Sequence, residues 1–371
     1  MPSRPVRLDR IGRLSGWHTP RMEFGICVAS RPADLDYVVE AESLGFTHCW
    51  MADSQMIWAD VYAMLALAAE RTTTMQIGTG VAVAGTRPST VTAAALATIN
   101  QLAPGRVFCG IGSGNTAMRI MGHPPMPIAE FDRHLGELRS LLDGKETAVR
   151  FRGTDTQVRH LMPDHGFVSF EPRIPLHVSA FGPRSLGLAV RHGDGLITSA
   201  PPVAEAIAGL RRAIPRDRAD FPIATLTTMV VIDEGEPIDS ERVRRQAGAF
   251  AIAGVHYAHD RFTQFGRRPP AHMADFWEDY VALVDETPAD RRHQRVHIGH
   301  NCWVTPDEEQ FLTAELIGHS CLVGTPEDLA VRIRALDDAG LDQIVLLPPL
   351  DEKDAVIRDV ATKVIQLLDD V

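Results

Sequence analysis

Polar side chains follow several apolar, strand-like segments of this sequence. Asp53 and Ser54 come directly after HCWMA, Asn115 follows RVFCGIGSG, and Thr198 ends DGLIT. A carboxylate, a hydroxyl group or an amide can orient a ligand or move a proton, but no spacing here pairs a nucleophile with a base. The full set of polar candidates is Asp53, Ser54, Gln55, Arg87, Asn115 and Arg119, with His123 and His177 nearby.

Two of these residues also have simpler interpretations. An aspartate at the end of a strand, such as Asp53, is often a helix N-cap. His177 lies inside a strand-like run, where a histidine is more often a packed residue than a catalytic one. None of the candidates is marked as a general base by spacing alone.

Two glycine-rich turns, GTG at 78–80 and GSG at 112–114, each follow a strand-like segment. Glycine permits positive φ and close approach of the backbone to a flat or phosphorylated ligand. A third turn places Gly182 before Pro183 at the start of a helix, whose free N–H groups suit an anion such as a phosphate. Loop geometry and an ordinary helix start beside a surface arginine, Arg184, are the alternatives.

The segment HQRVHIGHNC contains His293, His297, His300 and Cys302. Histidine and cysteine are typical zinc ligands, and the first two histidines, four residues apart, could share a helix face. The spacing fits no established zinc pattern, so we predict no metal site. A histidine-rich lid or substrate wall is the preferred interpretation.

Short β-branched runs alternate with longer helical patterns along the chain. A T-x-x-D capping box at Thr325, with proline next and Gly340 at the end, delimits the last helix. Such alternation predicts a parallel sheet, closed as a barrel or open and doubly wound. Eight units favour an α/β fold of the (β/α)8 TIM-barrel type. An open sheet would need a glycine-rich turn after the first strand, where the sequence instead has ASRPAD.

The regular pattern is interrupted twice, at about 144–175 and about 256–320. We therefore predict insertions after strands 4 and 7. Residues 1–21 carry five arginines without an apolar signal core and are interpreted as an N-terminal tail or an oligomer arm. The remainder, 22–371, is predicted to form one domain.

Composition narrows the classes of function. A net charge of −11 argues against nucleic acid, which requires a basic face. The apolar runs are too short for a membrane span of about 20 residues. The five cysteines have no paired spacing, which favours a reducing compartment, so we expect a cytoplasmic protein.

Three segments carry a resemblance to a known family. They are GTGVAVAGTRPSTVTAAALATINQLAPGRVFCGIGSG, SAFGPRSLGLAVRHGDGLITSA and VGTPEDLAVRIRALDDAGLDQIVLLP. In this order and spacing, from 24 to 197 and from 323 to 348, the chain resembles the bacterial luciferase-like flavin and deazaflavin oxidoreductases. It is most similar to the branch with methylene-tetrahydromethanopterin reductase and the deazaflavin-dependent glucose-6-phosphate dehydrogenase.

The resemblance implies a barrel whose rim, at the carboxyl ends of the strands, holds an isoalloxazine or deazaflavin ring. It implies a cis peptide bond between Gly80 and Val81 beneath the ring, and an acidic contact at Asp53. The cofactor-binding residues implied in this way are Asp53, Gly80, Val81, Ala82, Gly112, Ser113, Gly114, Asn115, Ala180, Phe181, Gly182, Pro183 and Thr198. The catalytic candidates are Asp53, Ser54 and Asn115.

The sequence departs from this branch at two positions. Where the sugar-phosphate dehydrogenase has a histidine and a catalytic glutamate, this chain has Ser54 and Asn115. Oxidation of a sugar phosphate by that pair is therefore not expected.

The main functional prediction is an FMN-dependent monooxygenase that acts on a small organic molecule, with a separate flavin reductase to supply reduced FMN. The alternatives are F420-dependent hydride transfer and a non-catalytic flavin-binding homologue. A homodimer is expected. Neither insertion has a motif that identifies the substrate.

Overall fold

The computed structural model describes residues 22–369, so the predicted tail at 1–21 lies outside the described residues. Eight parallel strands close into a barrel, in which each strand is hydrogen-bonded to two neighbours. The strands are β1 (Glu23–Val28), β2 (His48–Met51), β3 (Gln76–Val83), β4 (Val107–Gly112), β7 (Leu176–Ser179), β8 (Gly195–Thr198), β9 (Ile223–Thr227) and β12 (Gln343–Leu346). This architecture confirms the predicted (β/α)8 barrel.

Four further strands lie outside the barrel. β5 (Thr147–Phe151) and β6 (Thr154–Val158) form an antiparallel hairpin in the insertion after β4. β10 (Met229–Val231) and β11 (Leu322–Gly324) pair in parallel and enclose the insertion after β9. Insertions thus follow the fourth and seventh barrel strands, as predicted.

Helices connect the strands on the outside of the barrel and build most of the second insertion. They are α1 (Leu35–Ser43), α2 (Val61–Arg71), α3 (Ser89–Leu102), α4 (Asn115–Arg119), α5 (Ile128–Leu142), α6 (Pro183–His192), α7 (Ala204–Ala213), α8 (Glu241–Phe265), α9 (Trp277–Asp285), α10 (Arg292–Arg295), α11 (Ala314–Ser320), α12 (Pro326–Asp338), α13 (Lys353–Asp359) and α14 (Gln366–Asp369). No helix within residues 22–369 is both long and apolar enough to cross a membrane.

The second insertion begins earlier than the sequence analysis placed it. Helix α8 starts at Glu241, after a Ser240 side chain that accepts a hydrogen bond from the N–H of Val243, and runs without a break through His256. Thirteen of its residues are buried because it packs against α11 and other parts of the insertion. A second apolar core, separate from that around the barrel, therefore stabilises this insertion.

Aromatic rings fill the barrel interior. Trp50 and Phe108 are almost fully buried, with ring centroids 4.4 Å apart, and the Trp50 indole donates to Gln343 Oε1 at 2.9 Å. His177 meets both rings edge-on, so it is packed as predicted. Burial lowers the pKa of His48 to about 3 and that of His177 to about 4, and both imidazoles are neutral at neutral pH.

Glycines in β3 and β4 make room for these rings. A Cβ at Gly80 would lie 2.5 Å from Trp50 Cβ, and one at Gly110 would lie 2.8 Å from the Trp50 ring. A Cβ at Gly78 would overlap Phe108. Part of the glycine-rich pattern is therefore required by packing inside the barrel, independently of any ligand.

Candidate functional site

Most of the polar and glycine-rich residues singled out in the sequence meet at one end of the barrel, whereas Gly78 and His177 lie deeper, against the rings inside it. The residues at this end lie at or just beyond the carboxyl ends of β2, β3, β4, β7 and β8, which surround the same rim in a parallel barrel. The peptide bond between Gly80 and Val81 is cis, as the resemblance implied. The rim thus places residues from five strands around one opening.

Asp53 forms a buried ion pair at this rim. Its side chain is 3% exposed, and Oδ2 accepts hydrogen bonds from the guanidinium of Arg87 at 2.6 Å and from the N–H of Val83 at 3.2 Å. Burial raises the pKa of Asp53, and the hydrogen bond and charge of Arg87 oppose that rise. The helix-cap interpretation of Asp53 is wrong; Asp60 instead caps α2, through the N–H groups of Tyr62 and Ala63.

The turn after β4 contains a glycine in the left-handed conformation, followed by a series of polar contacts from Asn115 to Arg119 and Asp260. Gly114 has φ 86° and ψ 65°, a conformation that favours glycine. Asn115 then starts α4, and its Oδ1 accepts from Arg119 Nε at 2.9 Å. Arg119 also lies 3.3 Å from Asp260 Oδ2, so the rim is linked to α8. The Asn115 amide is therefore positioned by the second insertion.

The turn after β7 is open toward solvent. Phe181 is 70% exposed, and a Cβ added at Gly182 would meet nothing within 4 Å. Ser185 Oγ accepts from the N–H groups of both residues, each at 3.2 Å, which caps the start of α6. The first N–H groups of that helix, after Pro183, have no hydrogen-bond partner within the helix, as is usual at a helix N-terminus.

The remaining predicted cofactor-binding residues lie at the same rim. Ala180 and Thr198 are buried side by side at the ends of β7 and β8, where the Ala180 N–H donates to the carbonyl of Ile197 at 3.2 Å. A Cβ at Gly112 would approach Val81 Cγ2 to 3.1 Å, so β3 and β4 are in close contact here. Ser54 and Ala82 are also buried at this end of the barrel, and Ala82 is the penultimate residue of β3. The carbonyl of Ser113 accepts a hydrogen bond from the N–H of Met126.

Two features leave this rim accessible from solvent. Several large apolar side chains on the rim loops are exposed, among them Met56, Met121 and Phe181. The turn at Gly182 is also open, since an added Cβ there would meet nothing within 4 Å.

A cavity of about 290 Å³ lies at the same end of the barrel, between the loops after β1 and β2 and the second insertion. Trp58, His300, Cys302 and Trp303 contribute to its lining, and none of the predicted cofactor-binding residues does. Trp58 was not among the predicted residues, because nothing in the sequence marks it beyond an aromatic residue after the second strand. His300 and Cys302, from the histidine-rich segment, both line this cavity.

The histidines that meet in the structure are not the set found together in the segment HQRVHIGHNC. One ring nitrogen from each of His256, His297 and His300 lies within 4.8 Å of the other two, and all three residues are buried. His293 and Cys302 are not members of this group. Burial, followed by the charge of neighbouring groups, lowers the pKa of His300 well below its usual range, and burial also lowers that of His297.

Known proteins resemble this chain over most of its length. The family described as luciferase-like monooxygenase matches residues 19–343. The 5,10-methylenetetrahydromethanopterin reductase of Archaeoglobus fulgidus is 28% identical over 341 residues, which cover 87% of this chain and 92% of that protein. This similarity confirms the predicted branch.

Two solved structures share the fold. The coenzyme F420-dependent tetrahydromethanopterin reductase of Methanopyrus kandleri superposes with a TM-score of 0.67 at 19% identity, covering 94% of this chain and 99% of that one. The oxygenating constituent of 3,6-diketocamphane monooxygenase from Pseudomonas putida, in complex with FMN, gives 0.59 at 16% identity, with 93% and 98% covered. With the barrel, the rim and the family match together, the chain belongs to the luciferase-like monooxygenase family of oxidoreductases.

Proposed function

We propose that this protein is an F420-dependent oxidoreductase that transfers a hydride between the deazaflavin and a small organic substrate. The observation that carries the proposal is the similarity to a methylenetetrahydromethanopterin reductase over 92% of that protein's length. A solved reductase of the same class is F420-dependent. This ranks F420 chemistry above the FMN-dependent monooxygenase that the sequence analysis preferred.

The rim residues supply the binding site in this proposal. The turns at 112–115 and 180–183, together with Thr198, would hold the tail of the cofactor, and 80–82 with Asp53 would support the ring. When bound, the deazaflavin supplies the hydride chemistry, while the protein binds, orients and excludes water. Ser54 and Asn115 are then the polar groups available near the ring, and the contact with Arg119 fixes the Asn115 amide in place.

FMN-dependent oxygenation is the second candidate. It is supported by the shared fold of the FMN-bound camphane monooxygenase. Ser54 and Asn115 also stand where the sugar-phosphate dehydrogenase has its histidine and glutamate. If FMN is the cofactor, a separate flavin reductase would be a partner. In either case we propose one catalytic domain over 22–371, acting as a homodimer in the cytoplasm.

Direct titration of the purified protein with F420 and with FMN, followed by fluorescence, separates the two candidates. We expect tight binding of F420 and weak binding of FMN, and oxidation of reduced F420 in the presence of substrate. Selective binding of FMN, with oxygen consumption, would overturn the proposal in favour of a monooxygenase. Tight binding without turnover of either reduced cofactor would indicate a non-catalytic homologue.

A matched pair of glycine variants tests the position of the phosphate. Gly182→Val should weaken cofactor binding at least about tenfold by blocking the approach to the start of α6, because one lost charge-assisted hydrogen bond is worth about 1.5 kcal/mol or more. Gly187→Val, one turn further along α6, is the control, because a Cβ meets nothing within 4 Å at either position. Equal affinities in the two folded variants would remove this turn from the binding site.

A further inference from the structure

Three buried histidines from two distant segments point their rings at one another inside the second insertion. His256 comes from α8, and His297 and His300 come from the turns after α10. They are 1%, 3% and 2% exposed, and their ring centroids lie 5.2 to 6.2 Å apart. Among the described residues, this is the group of histidine, cysteine and carboxylate side chains whose donor atoms converge closely enough to hold a metal ion.

On each ring, Nε2 faces an oxygen atom. His256 Nε2 lies 3.0 Å from Glu308 Oε1, and His300 Nε2 lies 3.1 Å from the Tyr257 hydroxyl. His297 Nε2 lies 3.5 Å from Asp260 Oδ2, too poorly aligned for a hydrogen bond. Metal-binding histidines typically use their second nitrogen in this way, toward a carboxylate or another oxygen, which fixes the ring and its tautomer.

The Nδ1 atom of each ring has no hydrogen-bond partner. This holds for all three histidines, although each Nδ1 atom is buried. A buried polar atom without a partner costs free energy, and three of them in one cluster require an explanation. A packed histidine that is satisfied by its neighbours would not leave these nitrogens unpaired.

We propose that His256, His297 and His300 bind a divalent transition-metal ion, with zinc as the best fit, through their free ring nitrogens and with a water in the fourth position. Neutral imidazole is a preferred ligand of zinc, and three histidines with one open position form an established type of zinc site. Two carboxylates, Glu308 and Asp260, flank the cluster, and each also contacts an arginine, Arg295 and Arg119 respectively.

The distances require a modest closure of the rings. Zinc–nitrogen bonds of about 2.0 Å in a tetrahedron place the nitrogens about 3.3 Å apart, whereas here one ring nitrogen from each histidine, either Nδ1 or Nε2, lies within 4.8 Å of the other two. Rotation of the side chains would bring them together. The ion would then join α8 to the segment 297–300, and His300 also lines the 290 Å³ cavity, so the metal would stiffen one wall of that cavity.

The test uses the full-length protein after removal of metal with a chelator. Titration with Zn²⁺ alone should give one equivalent per chain and raise the thermal midpoint. His256→Gln and His297→Gln should each lower zinc affinity at least about 100-fold, and Glu308→Gln should lower it about 10- to 100-fold as an outer partner. His293→Gln, in the same sequence segment but outside the cluster, is the matched control and should bind zinc as the original protein does.

Cobalt substitution tests the unaltered protein without relying on the folding of any variant. Co²⁺ bound by three histidines and water should give the visible absorption bands of a tetrahedral site, and added Zn²⁺ should remove them. Absence of these bands together with no stoichiometric uptake of zinc would overturn the proposal. So would a loss of zinc in His293→Gln equal to that in His297→Gln. Neither result bears on the cofactor at the rim, because each measures metal rather than turnover.

Discussion

Replacing Arg87 by methionine should destabilise the protein by leaving the Asp53 carboxylate buried without its counter-ion. The side chain of Asp53 is 3% exposed and that of Arg87 is 20% exposed, and their closest atoms lie 2.6 Å apart. Burial raises the pKa of Asp53, and the hydrogen bond and charge of Arg87, with the N–H of Val83, oppose this rise. Methionine preserves much of the side-chain length and removes the charge.

The expected loss of stability follows from the burial of this pair. Opposite charges about 4 Å apart attract by about 4 kcal/mol at an effective dielectric constant of about 20. Breaking a buried pair costs about 3 to 5 kcal/mol, and the second contact of Arg87, with the 56% exposed Asp60, adds little. Because the guanidinium is partly exposed, we expect about 3 kcal/mol. For a chain of 371 residues the unfolding entropy is about 0.8 kcal/mol per kelvin, so the thermal midpoint should fall by about 4 °C.

Differential scanning calorimetry of four variants, namely Arg87→Met, Arg71→Met, Asp53→Asn and the double variant at 87 and 53, tests the role of this ion pair. Arg71→Met breaks a 2.5 Å ion pair with Asp36 in which the side chains are 48% and 83% exposed, and it should change stability by less than about 1 kcal/mol. In the double variant Arg87→Met with Asp53→Asn, most of the loss should be recovered, since the unpaired charge is gone. The reasoning is refuted if Arg87→Met and Arg71→Met have equal effects, or if the effects at 87 and 53 simply add.

Three further predictions concern packing at Gly110, the titration of Glu42 and the catalytic role of Asp53. Gly110→Ala should cost about 1 to 3 kcal/mol or more in a denaturant titration, because the new Cβ would lie 2.2 Å from the Thr79 carbonyl oxygen and 2.8 Å from the Trp50 ring. Gly187→Ala, in open space, should not destabilise the protein, and equal effects of the two substitutions would contradict this packing argument. Burial raises the pKa of Glu42, but three backbone N–H donors outweigh this effect and hold the pKa at about 2, below its ordinary 4.5. The stabilisation of the fold by the Glu42 carboxylate is present above pH 4.5 and is lost as the pH falls toward 2. The thermal midpoint of Glu42→Gln should therefore approach that of the original protein over this range, and a constant difference would argue against the lowered pKa. Asp53→Asn should lower the catalytic rate constant more than about tenfold if the carboxylate supports the cofactor ring; an unchanged rate in steady-state kinetics would leave Asp53 with a structural role only.

Local patterns were sufficient to predict most of the fold. Helix α6 starts at Pro183, as predicted, and Thr325 caps α12 by accepting from the N–H of Asp328. Such features depend on residues a few positions apart, so periodicity, caps and glycines reveal them. The family resemblance added the rim and the cis bond at Gly80, which periodicity does not indicate.

The sequence by itself therefore determined the (β/α)8 barrel, its two insertions and the rim at which the polar residues lie. Only the tertiary structure decided which side chains meet there. Arg87 reaches Asp53 across 34 positions, and His256 on α8 joins His297 and His300 in place of His293 and Cys302. The physical reason is that these contacts depend on how distant segments pack around the barrel, and no local pattern of residue types records that packing.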